Sequence, residues 1–303
     1  MSARELIVLG TASQVPTRYR NHNGYFIRWD KWGVLFDPGE GIQRQLIHCN
    51  LSANQIHRIC ITHFHGDHCL GLAGIVQRIS LDGVPHPVHV HYPASGQKYF
   101  ERLRHASIFH DRSNLKPSPI RKPGVIGEEK EFRLETMRLV HGVESWGYRL
   151  VEPDGHRMLP EKLKAAGVQG RDIGRLMREG EIKTPSGVVR LEDVSEVRKG
   201  QIVAFVMDTR LCDNAFALAQ DADLLICEST YLSSEEREAW DRGHMTAAQA
   251  ARVARESNAR RLVLTHFSQR YPDVNDFLEE ARPIHSDVVA VKDGDVVPVP
   301  KRR

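Results

Sequence analysis

The segment Thr62–His68 is the feature that most constrains the fold of this chain, because it gathers three histidines and an aspartate in the sequence Thr-His-Phe-His-Gly-Asp-His. It directly follows the apolar residues Ile59–Ile61, which predict a buried β-strand. Imidazoles and carboxylates are costly to bury without partners, and metal ligation removes that cost. A solvated or adventitious His-rich loop is the alternative, but the glycine and aspartate among the histidines favour a built site.

The spacing within this segment separates it into two groups. His63 and His65 are two positions apart, so both rings can face one point just beyond the end of the strand. Asp67 and His68 lie on the opening turn of a helix predicted over Leu70–Leu81. One strand end and one helix start can therefore serve two metal ions.

Further donors follow other predicted strands at the point where each strand gives way to a loop, and these are His141, Asp208 and His266. Site residues of α/β sheets lie at such strand ends. We assign His63, His65 and His141 to one ion, and Asp67, His68 and His266 to the other, with Asp208 as the bridge. Imidazole-rich ligation favours two Zn²⁺ ions, although Mn²⁺ or another divalent metal also accepts such donors.

Such a pair of ions, about 3.5–4 Å apart, holds a hydroxide and clamps the oxygens of a phosphoryl displacement. We expect Asp67 both to ligate and to accept the proton of the nucleophile. His244 fits none of the metal positions, and we expect it to protonate the leaving oxygen, oriented by Glu228 at the end of another strand. The alternative is that His244 only enters a helix capped by Thr246.

The composition is that of a globular protein, with 41% hydrophobic and 27% charged residues and a formal net charge of +3. This mild charge means that any affinity for nucleic acid must come from local patches. Five cysteines without a C-x-x-C pair are typical of a reducing compartment. With no secretory signal and no apolar run of membrane-spanning length, we expect a cytoplasmic protein without a membrane partner.

Alternating strand and helix patterns predict an α/β layered fold, a single domain over residues 1–303. Residues 152–200 interrupt this rhythm with polar, glycine-punctuated sequence, which predicts an inserted, flexible arm. Its centre carries an excess of positive charge suited to an anionic partner, supplied by Lys162, Lys164, Arg171, Arg175 and Arg178. A mobile insertion without a ligand is the alternative.

Thr62–His68 matches the His-x-His-x-Asp-His signature of the metallo-β-lactamase superfamily, so the chain resembles that group. The resemblance implies an αββα sandwich, into which the arm is inserted. The signature is specific for the superfamily but says little about the substrate.

Further segments are similar to blocks of the ribonuclease Z family and occur in the same order, namely residues 9–13, 37–41, 207–209, 227–230, 244–246 and 265–268. The loop Pro16–Asn21 is similar to that family's Pro-x-Lys-x-Arg-Asn loop, with Arg18 in place of Lys, and its Arg18, Arg20 and Asn21 would bind RNA phosphates. The family's arm carries a Gly-Pro element, whereas this chain has Gly170–Gly174 without proline.

This resemblance implies a zinc-dependent endoribonuclease in which metal-bound hydroxide attacks the phosphodiester. It would remove the 3′ trailer of precursor tRNA and leave a tRNA 3′-hydroxyl. It also implies a homodimer in which one subunit's arm grips tRNA cleaved by the other. The competing hypotheses are a different dinuclear metallohydrolase acting on small phosphodiesters or esters, and a non-catalytic RNA-binding protein of the same fold.

Overall fold

Two seven-stranded sheets form the centre of the molecule in the computed structural model, which describes residues 4–185 and 187–302. The first sheet has the order β18 (Val296–Pro298), β1 (Arg4–Gly10), β2 (Gly24–Trp29), β3 (Trp32–Phe36), β4 (Arg58–Cys60), β5 (Val88–Pro93) and β6 (Leu115–Ile120). The second has the order β17 (Val288–Ala290), β16 (Arg261–Thr265), β15 (Leu224–Glu228), β14 (Ile202–Val206), β9 (Ser145–Val151), β8 (Arg133–Leu139) and β7 (Gly124–Glu128). The strands from β3 to β6 and from β14 to β17 are parallel, and the other neighbours are antiparallel.

Helices cover the outer faces of both sheets. Those of the main body are α1 (Ile42–His48), α2 (Gly66–Cys69), α3 (Leu72–Leu81), α4 (Gln97–Arg104), α7 (Asp213–Ala219), α8 (Glu236–Arg242), α9 (Ala247–Glu256) and α10 (Asn275–Ala281). One apolar cluster joins the first sheet to α1, α3 and α4, and another joins the second sheet to α7, α9 and α10. A third fills the space between the sheets, where Phe36 and Phe205 stack at 4.5 Å between ring centroids. These layers confirm the predicted αββα sandwich.

This layering explains why the central strands read as continuous apolar runs. All five residues of β14 are buried, because the strand is covered on one face by the first sheet and on the other by helices. Burial on both faces removes the polar alternation of a half-exposed strand, so the sequence of β14 shows its position in the sandwich directly.

Two local predictions require correction. The helix expected over Leu70–Leu81 begins only at Leu72, because Gly71 packs against the loop that precedes α1: its N–H donates to the Pro38 carbonyl at 2.9 Å, and a Cβ would be 1.9 Å from the Gly39 carbonyl oxygen. The final turn, Lys292–Asp295, joins strands that belong to different sheets. The prediction also missed β6, whose prolines are tolerated because it is an edge strand.

The inserted segment 152–200 has its own secondary structure and its own small core. It comprises β10 (Gly155–Met158), α5 (Pro160–Ala165), α6 (Arg171–Glu179), β11 (Glu181–Thr184), β12 (Gly187–Arg190) and β13 (Ser195–Arg198). Strand β10 pairs with β13 and β11 pairs with β12, around a buried cluster that includes Leu163, Val168 and Leu176. The predicted cations on α5 and α6 are all exposed.

Candidate metal centre and active site

The chemically active residues meet at one edge of the sandwich, where parallel strands of both sheets end. His63 follows β4, Asp208 follows β14 and His266 follows β16. Asp208 and His266 have φ angles of 41° and 64°, in the left-handed region that non-glycine residues rarely adopt. Backbone strain of this kind concentrates at functional sites, and here it marks two of the candidate metal ligands.

The first group of donors surrounds the predicted first metal position. The Nε2 atom of His63 lies 2.9 Å from Nδ1 of His65, which lies 3.3 Å from Nε2 of His141. The Oδ2 atom of Asp208 is 3.6 Å from His63 Nε2 and 3.8 Å from His141 Nε2. Four donor atoms from three chain segments therefore converge on a common centre.

The second group converges beside the first and shares Asp208. Its Oδ1 atom is 3.3 Å from His68 Nε2 and 3.1 Å from His266 Nε2. The Oδ2 atom of Asp67 is 3.3 Å from His68 Nε2 and 3.6 Å from His266 Nε2. The sequence-based division of the seven residues is thus the division seen in space, with one Asp208 oxygen facing each group.

Both groups suit a divalent metal by the chemistry of their donors. Asp208 Oδ1 and His266 Nε2 are buried polar atoms without a hydrogen-bond partner among the described residues. Such atoms are costly in a protein interior unless a ligand satisfies them. Imidazole nitrogens and carboxylate oxygens are the ordinary ligands of zinc and similar ions, so the residues present fit a divalent cofactor.

Hydrogen bonds behind the donors hold their rings in place. Asp37 Oδ2 accepts from Nδ1 of His68 at 2.9 Å, and Nδ1 of His266 meets the Thr230 hydroxyl at 2.7 Å. The carbonyl of Gly243 lies 2.9 Å from Nδ1 of His141. Partners of this kind fix the tautomer that leaves the opposite nitrogen free to ligate.

His244 lies beside these donors and is anchored by Glu228, as the sequence predicted. Its Nδ1 is 3.1 Å from Oε1 of the fully buried Glu228 and 4.0 Å from Oδ2 of Asp208. Glu228 also accepts from the backbone N–H of Thr209 at 2.6 Å and from the Thr230 hydroxyl at 2.7 Å. Because Glu228 uses its oxygens on these donors, it contacts His244 from behind and does not line the cavity.

Burial and charge oppose each other throughout this cluster. Burial raises the pKa of Asp67 and of Asp208, but the neighbouring imidazoles outweigh it and hold both carboxyl pKa values below their usual range. Burial likewise lowers the pKa of His68, yet the charges of Asp208 and Asp67 raise it well above the ordinary value. For His244, the Glu228 and Asp208 charges overcome burial and raise the pKa to about 9.

A cavity of about 710 Å³ opens onto the cluster, and it is lined by both donors and cations. His65, Asp67 and His244 face it together with Arg242 and Arg270. The Arg270 guanidinium is 2.9 Å from Glu238 and lies 5.1 Å from the centroid of the Tyr231 ring. The cavity therefore combines a floor of candidate metal ligands with two arginines whose charges Glu238 compensates in part.

The three predicted RNA-binding residues of the loop Pro16–Asn21 differ in their surroundings. Arg18 is exposed. Arg20 donates to the backbone carbonyls of Tyr271 and Ser268, and Asn21 donates to the Glu40 carbonyl at 2.8 Å. The two inner residues thus hold the loop against the body of the protein and leave Arg18 as its outward cation.

Sequence reasoning gave no site role to Asp37, Thr230 or Asp293. Asp37 directly follows β3 with a φ of 44°, so its place at a strand end was an available signal. Thr230 follows Glu228 by two positions. Asp293 accepts from the Asn21 backbone N–H at 2.6 Å and from the Thr11 hydroxyl at 2.8 Å, contacts that join distant parts of the chain.

The fold and the site define a member of the metallo-β-lactamase superfamily. A family model described as "Metallo-beta-lactamase superfamily" matches residues 17–148, and one described as "Beta-lactamase superfamily domain" matches residues 173–267. The crystal structure of human tRNase Z, short form, is similar with a TM-score of 0.72 and 25% identity, covering 98% of this chain and 100% of that chain.

Similar proteins identify the family within this superfamily. The chain is 58% identical to ribonuclease Z of Streptomyces avermitilis over 100% of both chains. It is 45% identical to ribonuclease Z of Chlamydia pneumoniae, covering 99% of this chain and 98% of the relative. The chain belongs to the ribonuclease Z family, as its motifs indicated. Among the described residues, none of the helices has the length and apolar character needed to cross a membrane.

Proposed function

We propose that this chain is a hydrolase, a metal-dependent endoribonuclease that removes the 3′ trailer from precursor tRNA and leaves a 3′-hydroxyl on the tRNA. The observation that carries the proposal is similarity to ribonuclease Z along the whole chain, including the inserted segment 152–200. A hydrolase of small phosphodiesters has no use for exposed cations on such a segment. These cations would instead bind the phosphate backbone of an RNA.

Two Zn²⁺ ions are the cofactor that we propose for the donor cluster. His63, His65 and His141 would hold one ion, and Asp67, His68 and His266 the other, with Asp208 shared between them. The support is a donor set dominated by imidazole and the position of one Asp208 oxygen toward each group. When bound, such ions polarise phosphoryl oxygens and lower the pKa of water.

The chain's own residues supply the proton transfers. Asp67 is fixed by the backbone N–H of Gln14, which donates to its Oδ2 at 2.7 Å, and it would accept the proton of the attacking water. Glu228 holds Nδ1 of His244, so Nε2 is the nitrogen available to protonate the leaving oxygen. Glu228 would orient the imidazole and stabilise its charge without touching the substrate.

RNA binding would use Arg18 on its loop and the exposed cations of the arm, namely Lys162, Lys164, Arg171, Arg175 and Arg178. Arg20 and Asn21 would shape the loop that presents Arg18. We also propose a cytoplasmic homodimer in which the arm of one subunit grips the tRNA cleaved by the other.

Cleavage mapping on one precursor tRNA tests the activity. We expect a single cut at the 3′ end of the tRNA body, with a kcat/KM far above that for bis-p-nitrophenyl phosphate. Asp67→Ala should abolish cleavage. His105→Ala, a change of an exposed histidine outside the site, is the matched control and should cleave normally. Equal efficiency on both substrates would favour a small-phosphodiester hydrolase, and unaltered cleavage by Asp67→Ala would overturn the mechanism.

Subunit mixing tests the arm in trans. Val151 and Ile202 are paired neighbours in the second sheet, so the arm can be replaced by a short turn between them without breaking the fold. We expect the arm-deleted chain and the Asp67→Ala chain each to be inactive alone. Mixed subunits should regain activity, because one supplies the arm and the other an intact site. No recovery in mixed dimers would refute an arm that acts across subunits.

A further inference from the structure

Trp240 on α8 stands out because its side chain is left in contact with solvent near the active site. It is 59% exposed, whereas Trp29 and Trp146 are 0% and 2% exposed. A tryptophan offers a large, rigid aromatic face, and an exposed one is available for binding. Its exposed face is therefore available to a ligand that has a flat apolar surface.

Arg210 fixes this indole from one side. Its guanidinium carbon lies 5.1 Å from the centroid of the Trp240 ring, and its Nε donates to the Trp240 carbonyl at 2.7 Å. The backbone N–H of Arg210 donates to the carbonyl of Val140 at 2.8 Å. The first of these hydrogen bonds holds the guanidinium beside the ring and the second holds the backbone of Arg210, so the pair forms a pre-organised platform.

The platform is built on the same backbone segments as the active site. Arg210 is two residues beyond Asp208. Trp240 is in the last turn of α8, Gly243 directly follows that helix, and the Gly243 carbonyl contacts Nδ1 of His141. The backbone N–H of His244 donates to the Ala239 carbonyl at 2.8 Å. These connections fix Trp240 and Arg210 relative to the donor cluster.

The charges around Trp240 indicate which part of an RNA would bind. Acidic residues of α8 neutralise the nearby arginines, since Glu238 pairs with both Arg242 and Arg270, at 2.9 Å in each case. Arginines whose charges are compensated in this way have little to offer a phosphate. The face of a nucleobase needs no counter-charge, and it stacks well on both indole and guanidinium planes.

We propose that Trp240 and Arg210 form a stacking platform for one unpaired nucleobase of the RNA substrate, next to the scissile phosphate. This inference rests on the proposed function. The base can come from the tRNA side of the cut or from the first nucleotide of the trailer. Stacking tolerates any base, so the platform would position RNA without reading its sequence.

The test compares precursor tRNA cleavage by Trp240→Ala, Trp240→Phe and Arg237→Ala. Arg237 is the matched control, an α8 residue with a 96% exposed side chain. We expect Trp240→Ala to lower kcat/KM by about 5- to 150-fold, the factor that stacking of one base provides. Trp240→Phe should recover most of the activity. Melting temperature and bound metal, measured on every variant, should match the unmutated protein.

Precursors with an abasic nucleotide on either side of the cut identify the stacked base. At the correct position the abasic substrate should lower kcat/KM of the unmutated protein, and Trp240→Ala should then cause no further loss. If the losses caused by the abasic nucleotide and by Trp240→Ala were fully additive at both positions, the stacking platform would be overturned. Normal cleavage by Trp240→Ala would overturn it as well. An unmutated protein that leaves every precursor uncut would instead overturn the proposed function.

Discussion

Asp37 provides the sharpest test of how the site is held, because this buried residue touches a metal-ligand candidate without being one. Its carboxylate accepts from the backbone N–H of Thr62 at 2.7 Å, the Thr62 hydroxyl at 2.8 Å and Nδ1 of His68 at 2.9 Å. A carboxylate only accepts hydrogen bonds, so the proton of His68 stays on Nδ1 and its Nε2 faces the donor cluster.

Asp37→Asn changes this chemistry while keeping the size of the side chain. One amide oxygen can still accept from the Thr62 backbone, but the amide NH₂ then faces Nδ1 of His68. The imidazole must either lose this hydrogen bond or move its proton to Nε2, the nitrogen needed for ligation. We expect metal affinity to fall by about 10- to 100-fold, which corresponds to about 1.4–2.7 kcal/mol.

Competition with a chromogenic chelator measures this loss. Asp223→Asn is the matched control, because Asp223 is also fully buried and accepts from the backbone N–H of Ile202 at 2.8 Å, but at the opposite end of the strands. The control should lower the melting temperature and leave metal affinity unchanged. Activity of Asp37→Asn should recover as metal is added. Metal affinity of Asp37→Asn within twofold of the unmutated protein would refute the reasoning.

Three further changes test other parts of the structure. Burial raises the pKa of Asp293 to about 6, so the folded state holds this proton more tightly than the unfolded state does. The contribution of Asp293 to stability therefore falls as the pH rises from about 4 to 6. Asp293→Asn should reduce this fall, measured as the free energy of unfolding in denaturant at each pH. Leu176→Ala should destabilise the arm core by about 2–5 kcal/mol. It should therefore raise KM for precursor tRNA more than KM for a small phosphodiester. An unchanged ratio of these two KM values would contradict a role of the arm in binding. Thr230→Val removes the hydroxyl that hydrogen-bonds to both Glu228 and His266, so metal affinity should fall about tenfold. A chelator titration measures this affinity, and an unchanged value would show that the hydroxyl is dispensable.

Local sequence was sufficient for features that depend on neighbours along the chain. Buried strands such as β14 were visible as apolar runs, and the ends of these runs pointed to Asp208 and His266. The start of α3 was not visible, because Gly71 breaks the helix for a tertiary reason, the close approach of the Gly39 carbonyl. The order of segment 152–200 was also hidden, since its small core forms only when distant residues such as Leu163 and Val189 meet.

The sequence by itself indicated the candidate donor residues, a division of them into two groups and the family to which the chain belongs. These features follow from residue types at fixed spacing, because the position of a residue that follows a strand is set by the end of that strand. Only the tertiary structure decided which groups orient the donors, because Asp37, Thr230 and Gly243 approach their histidines from other strands and loops. It also decided that Arg20 binds backbone carbonyls while Trp240 is left exposed, since burial depends on what the rest of the fold brings near.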